Sequence, residues 1–579
     1  LGRPAGKNEK IFEFLKKSKN SASSNLTQSI FLCDGRVVIL NLNSGPKMSS
    51  SETSFSKPIS YHQIGWLAFA FALIFSAPGF IQAFLVNGDF CYALDDSFIM
   101  MAISRNFAFH HVWGLTAHEF SSTASSPLFT VLLAGINLLI GDHIWIPLAV
   151  NVLGLAGLFL WLSARAKTWN MNRWQTWFLL MGAFYFMPVP VLLFGSMEHI
   201  LHTWIALYCL QQVIEIPASL SFLKLILMGA ILAGIRYEGL FEGGLLILWL
   251  WKNKEYQKGF FLGTGMLIPV CWLGFYSMAQ GWFFLPNSLI LKGYTMNIQE
   301  TKDFYGYLLS WISKAANHPH AIVAMLVLYF LWSSPDSKPN ENKTWLGIVL
   351  GISIVHFVLA RYNHVYRYEA YLMALAWVAF WKTTCQTNVT VSFDSLRQIL
   401  FASPVQSILY LALIISPLYR SVDSYVVGTR AMVNIYDQQV QMARFVKSYY
   451  NNETVGAIDI GAVAYYSDAK VLDLWGLADL DIAWLKLKNI YSAEGVARVC
   501  KQKNMTMAIG YGKHLDSPEW HRVERWVMPH NVVCSRDTID FYAFTPKTRE
   551  ELRQNLILFH PRLPVTVRVL SYPNNSDLP

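Results

Sequence analysis

The run IGWLAFAFALIFSAPGFIQAFLV, residues 64–86, holds 23 residues without a single charge. As a helix it is roughly 35 Å long, enough to cross the ~30 Å hydrocarbon core of a bilayer. Composition points the same way: 54% of the chain is hydrophobic and only 14% charged, against about 25% charged in soluble domains. Aromatic residues make up 15%, with 21 Trp and 27 Tyr, which suits the belts that anchor spans at the interface. The sequence specifies a polytopic α-helical membrane protein.

Working outward, further apolar stretches near span length occupy roughly 144–163, 174–194, 200–217, 221–236, 238–251, 259–279, 319–334, 344–360, 370–381 and 402–418. With 64–86 these predict about 11 transmembrane helices. The stretch PLFTVLLAGINLLIG, 127–141, is apolar but short, and reads as a juxtamembrane piece. Charge agrees. ARAKTWNMNR carries Arg165, Lys167 and Arg173, and WKNKEYQKG carries Lys252, Lys254 and Lys258. Both basic loops are cytoplasmic only if 127–141 does not cross. The net charge of +9 is then topological, and a nucleic-acid partner is not expected.

Three domains are expected. Residues 1–62 form a polar cytoplasmic tail, or lie partly upstream of a start at Met48, which precedes SSSETSFSK. Residues 63–418 form the transmembrane module, with a first outer loop at 87–143 that carries juxtamembrane helices. Residues 419–579 form a soluble extracytoplasmic α/β domain, with strand-like runs TVGAIDIG, KVLDLWGL and TMAIGYG. The seven cysteines (Cys33, Cys91, Cys209, Cys271, Cys385, Cys500 and Cys534) form no CxxC or Cys/His cluster. Cys500 and Cys534 share the last domain and would pair in an oxidising compartment.

The outer loops carry the chemistry. Asp95 and Asp96 follow the first span at the start of an apolar helix, 96–110. Asp95 is placed to cap it, with Asp96 in its first turn. Glu198 and His202 sit four apart on one helical face, beside His199. They form a polar patch or, less simply, part of a metal site. Arg236 and Glu238 read as an ion-paired turn between two spans. Asn287 and Lys292, then Arg361, His364, Arg367 and Glu369, fall at later outer ends. Lys292, Arg361 and Arg367 are cations on the side where topology does not ask for them, which points to a function. A carboxylate can take a proton from an acceptor hydroxyl. Arg and Lys can hold a departing phosphate. Together these suit transfer of a sugar from a lipid phosphate.

These segments also resemble a known family. LDDSFIMMAISRNFAFHHVWG and FSSTASSPLFTVLLA in the first outer loop, then GSMEHILH, GIRYEG, GWFFLPNSLILKG, RYNHVYRYEAYL and GAIDIGAVAYYSDAKVLDLWGL follow in order. The layout resembles the GT-C superfamily of integral-membrane glycosyltransferases, and within it the bacterial arabinofuranosyltransferase-like and mannosyltransferase-like members. The resemblance covers about residues 64–545. Tyr237 departs from the proline of the family's corresponding element. The resemblance implies a polyprenyl-phosphate sugar as donor and a glycan, lipid or protein hydroxyl as acceptor. It implies inversion, an aspartate base and no obligatory metal or cofactor, although a divalent metal is not excluded. It assigns the base to Asp96 with Asp95 supporting it, and the donor phosphate to Arg361, Arg367 and Lys292. Substrate orientation goes to Glu198, His199, Arg236, Glu238 and Asn287. The setting is the outer face of a bacterial inner membrane. Two other classes share these ligands: a flippase for a lipid-linked sugar, and an inactive structural subunit of a membrane complex.

Overall fold

The computed structural model describes residues 29–33, 36–40, 59–294, 312–334, 340–362, 365–386 and 404–572. It divides into two units, residues 1–59 and 60–579. In the first, strands β1 (Ser29–Cys33) and β2 (Arg36–Leu40) pair antiparallel, with Ser29 opposite Leu40 and Cys33 opposite Arg36.

The second unit is mainly helical. Its first helix, α1 (Tyr61–Asn87), opens on a capping box between Ser60 and Gln63 and closes on Gly88 in the left-handed region. Then come α2 (Asp95–His110), α3 (Pro127–Ile140), α4 (Ile146–Thr168), α5 (Arg173–Phe186), α6 (Val189–Gly195) and α7 (His199–Glu215). The bundle continues with α8 (Phe222–Ile235), α9 (Gly239–Lys252), α10 (Tyr256–Ala279), α11 (Asn287–Tyr294), α12 (Pro319–Ser333), α13 (Glu341–Leu359) and α14 (Ala370–Gln386). Their outward faces are apolar: Ile74 is 72% exposed, Leu85 76% and Leu139 83%. Such surface is tolerable against lipid and costly against water.

All eleven apolar segments are helical, but the expected count of eleven spans is not met by length and composition. Among the described residues, four helices are long and apolar enough to cross a membrane: α1, α4, α10 and α13. A fifth span results if α5 and α6, bent by 49° at their junction, are taken together. The shortfall has a physical source. A 14-residue helix such as α8 or α9 rises only about 21 Å, short of the hydrocarbon thickness. The expected juxtamembrane piece is α3, also 14 residues. It buries Phe129, Thr130, Leu133 and Asn137, and exposes Leu132, Leu138 and Leu139.

The expected domain boundary at 418/419 also moves. Helix α15 (Pro404–Ile435) runs straight through it, and a five-residue π turn at Tyr436–Val440 leads into α16 (Gln441–Tyr449). The sheet domain begins after that. Strands β3 (Thr454–Ala457), β4 (Lys470–Asp473) and β5 (Met507–Gly510) realise the three strand-like runs. Helix α17 (Gly461–Tyr466) links β3 to β4. Helices α18 (Leu480–Leu487) and α19 (Ala493–Gln502) link β4 to β5. After β5 come β6 (His521–Val527), β7 (Thr538–Ala543), α20 (Pro546–Phe559) and β8 (Arg568–Ser571). The six-stranded sheet has the order β4-β3-β5-β7-β6-β8. β3 is parallel to β4 and β5, and the remaining pairs are antiparallel. Cys500 and Cys534 are both free thiols, so the expected disulfide does not form. Cys500 packs in the sheet core with Leu474 and Val496, whereas the Cys534 thiol donates to Gln439 at 3.3 Å.

Candidate functional site

Helix α2 begins at Asp95, one residue earlier than expected. Leu94 occupies the cap position and makes no side-chain cap. Asp95 is therefore not the cap of its own helix. Its two carboxylate oxygens accept from the backbone N–H groups of Gly461 (2.7 Å) and Ala462 (2.8 Å), at the start of α17. Only glycine permits this approach: a Cβ on residue 461 would lie 2.2 Å from the Asp95 carbonyl oxygen. At the other end of α17, Arg105 donates to the carbonyls of Tyr465 (2.6 Å) and Ala464 (3.1 Å). One helix thus grips another with a carboxylate at its positive end and a guanidinium at its negative end. Burial raises the Asp95 carboxyl to about 6, with the charge of Asp96 adding to the rise and the two N–H bonds opposing it.

Asp96 points elsewhere. Adjacent residues on a helix are rotated by about 100°, which turns Asp96 towards the bundle, where it pairs with Arg367 Nη2. The Arg367 guanidinium is 3% exposed and lies 5.0 Å from the Tyr368 ring centre. A second guanidinium, Arg236, lies 5.8 Å from the same ring. Arg236 holds Glu238 with two bonds, Nη2–Oε1 at 2.5 Å and Nε–Oε2 at 3.1 Å. Its Nη1 pairs with Glu198 and donates to His199 Nδ1 at 3.0 Å.

Asp96, Arg236, Glu238, Arg361 and Arg367 all line a cavity of about 320 Å³ whose walls are otherwise largely apolar, among them Ile99, Met100, Val270 and Leu289. A larger cavity of about 890 Å³ lies against the sheet domain. Asp96, Ile99, Arg361 and Leu477 line both cavities, so Asp96 and Arg361 stand at the neck between them.

The expected site residues divide accordingly. Asp96, Arg361, Arg367, Arg236 and Glu238 come together. Glu198 and His199, expected to orient substrate, are buried behind Arg236 and hold it in place. His202 does not share a site with Glu198, because its ring packs on Tyr371 with centres 4.5 Å apart. Arg367, expected on phosphate, is committed to Asp96 and buried, whereas Arg361 is exposed. Asn287 does not reach the cavity. Its amide nitrogen donates to the Gly476 carbonyl (3.0 Å), and its backbone N–H donates to Ser122 (2.8 Å), tying α11 to the sheet domain and the first loop. The side chain of Lys292, and all of His364, lie outside the described residues.

Sequence reasoning missed the wall contributed by the sheet domain: Asp459, Trp475, Lys486 and Tyr511. A signal was present, since each of the three parallel strands is followed within two residues by a large polar or aromatic residue, Asp459, Trp475 or Tyr511.

A family model described as a domain of unknown function, DUF8728, matches residues 433–544, from the end of α15 through β7. No curated protein matches the chain.

Proposed function

We propose that the protein is an inverting glycosyltransferase that moves a sugar from a polyprenyl-phosphate donor to an acceptor hydroxyl. The observation that carries this reading is the neck: a carboxylate and an exposed guanidinium, Asp96 and Arg361, line both a largely apolar cavity among helices and a larger one that also holds Asp95, Asp459, Lys486 and Arg536. A lipid-linked donor needs both, an apolar wall for the first isoprene units and a cation for the phosphate.

In this reading the acceptor hydroxyl enters from the larger cavity and gives its proton to Asp96 as its oxygen attacks the anomeric carbon. The bond from that carbon to the phosphate oxygen breaks, and its electron pair leaves with the phosphate. Arg361 stabilises the growing negative charge, with Lys292 as a second cation. One displacement at the anomeric carbon inverts it. Arg367 holds the Asp96 carboxylate in orientation, and Arg236, set by Glu198, Glu238 and His199, carries positive charge into the same cavity. The four or five helices long enough to cross a membrane form the frame of a GT-C-type module that the shorter apolar helices complete. Its amino terminus is cytoplasmic and its sheet domain lies outside a bacterial inner membrane.

The test is transfer itself, with purified chain in nanodiscs, a panel of radiolabelled polyprenyl-phosphate sugars and a membrane-glycan extract as acceptor. Asp96→Asn should abolish transfer while the chain still folds. Substantial turnover by a well-folded Asp95→Asn/Asp96→Asn double variant would remove the base assignment. Movement of donor across the bilayer without consumption would replace the reading with a flippase.

A further inference from the structure

The sheet domain presents a crevice of its own. Its parallel strands stand in the order β4-β3-β5. The chain leaves β3 through α17 towards β4, and leaves β5 in the opposite direction, towards β6 and β7. The connections at the carboxyl ends of β3 and β5 therefore diverge. In open α/β sheets such a divergence leaves a crevice outside the strand ends, and ligands bind there.

The crevice here is the larger cavity. Asp459 follows β3 and Tyr511 follows β5, and the Tyr511 hydroxyl donates to Asp459 Oδ1 across the divergence at 3.4 Å. The other carboxylate oxygen, Oδ2, is buried and has no hydrogen-bond partner among the described residues. Lys486 makes no ion pair among the described residues. Its ammonium lies 2.9 Å from the Trp475 ring centre and 4.7 Å from that of Tyr491. Burial lowers Lys486 to about 7 against the pull of Asp473, and burial with the charge of Asp95 raises Asp459 to about 7.

These groups select a ligand class. Three carboxylates (Asp95, Asp96, Asp459) face three cations (Arg361, Lys486, Arg536), so no excess positive charge invites a polyanion. A peptide strand would need a sheet edge for its backbone, and the crevice lies at strand ends. A hydroxyl both donates and accepts, so a neutral ligand with many hydroxyls can satisfy an unpaired carboxylate oxygen and an unpaired ammonium at once. The apolar faces of its sugar rings suit Trp475 and Tyr491.

We propose that this crevice is the acceptor subsite and that the acceptor is a carbohydrate, whose terminal hydroxyl meets Asp96 at the neck. The direction of that hydroxyl rests on the glycosyltransferase reading; carbohydrate binding in the crevice does not.

The test uses the full chain in detergent, fluorescently labelled, on an array of immobilised neutral oligosaccharides. Wild type should be retained on a defined subset. Asp459→Asn and Lys486→Gln should each lower that retention by about tenfold or more, the size expected for a hydrogen bond to a charged group. Tyr511→Phe, which removes only one hydroxyl, should lower it by a few-fold, and Lys501→Gln, at an exposed position on α19, should leave it unchanged. Variants are compared at equal monodispersity and equal melting temperature, and Tyr511→Phe carries the test if the charge variants misfold. No retention of any oligosaccharide, or retention untouched by all three crevice variants, overturns the proposal. The two readings fail separately. Retention that depends on the crevice, with no donor consumed, keeps the subsite and removes the transferase. Transfer to a lipid or peptide at full rate in the crevice variants does the reverse.

Discussion

Asp95 and Asp96 are chemically identical neighbours, yet the fold uses them for opposite ends. Asp95 is spent on structure: both oxygens are taken by the backbone of α17, some 366 residues away. Asp96 has one oxygen on Arg367 and stands at the neck of two cavities. What separates them is the 100° step of a helix and what lies in each direction. A second contrast sharpens the point. At the far ends of α7 and α14, Lys382 pairs with Glu215 at 2.5 Å, and its ammonium lies 4.9 Å from the Trp345 ring and 5.3 Å from Trp169. That pair is as buried as the Arg236 cluster but lines neither cavity described above. A buried charge marks a site only where a ligand can reach it.

The largest expected effect lies on Asp96. On the proposed transferase reading, Asp96→Asn should lower the transfer rate by about 10²–10⁴-fold, the usual share of a general base, whereas Asp95→Asn should keep most of it. Equal losses would erase the distinction between the two carboxylates. Next comes the closed cluster. Lys382→Met leaves the half-buried Glu215 carboxylate without its cation, held only by the Trp169 and Gln211 N–H groups, and should cost about 3 kcal/mol of stability, read as a fall in melting temperature, with the rate per folded molecule unchanged. A loss of rate at full stability would mean that this pair also belongs to a site.

Gly461→Ala should cost about 1–3 kcal/mol by overpacking and raise amide exchange in α17, because its Cβ meets the Asp95 backbone. The smallest effect is one of pH. The folded Asp95 carboxyl stands at about 6, against an ordinary 3.8. A carboxyl that holds its proton more tightly when folded adds stability that is complete below about pH 4 and is lost as pH rises through about 6. Protection of α17 should therefore be greater at pH 5 than at pH 7.5, once intrinsic exchange is corrected for. Asp95→Asn should flatten that slope, and an unchanged slope would assign it to the other raised carboxyls, Asp142 against Tyr465 of α17 first among them.

Much of this was legible in the residues, for reasons of range. Helices announce themselves over 20 or so positions, and all eleven apolar runs became helices. The Arg236–Glu238 pair spans two residues and could be read directly. The three parallel strands showed as short, mainly apolar runs ending near Gly or Asp. The rest depends on distant partners. Nothing near Asp95 says that its acceptors lie in the last domain, and nothing in the apolar run around Lys382 points to Glu215, 167 residues earlier. The span count failed because hydropathy registers apolar length and not whether a helix is long enough to cross. The two backbone-carbonyl partners of Asn287, in the first loop and the sheet domain, likewise leave no mark on the sequence around it.

The grip of α2 on α17 has a consequence for how the chain is made. Asp95 and Arg105 are synthesised about 360 residues before the helix they hold. At the usual 5–20 residues per second, that is roughly 20–70 s of elongation. Arg367, the partner of Asp96, arrives 271 residues after it. Until residue 367 is made, neither carboxylate of α2 has its partner, and Asp95 waits for α17 still longer. The carboxylates are therefore among the earliest parts of the helical unit to be made and the last to acquire their surroundings, and a nascent chain stalled before residue 460 carries every span candidate but no finished site.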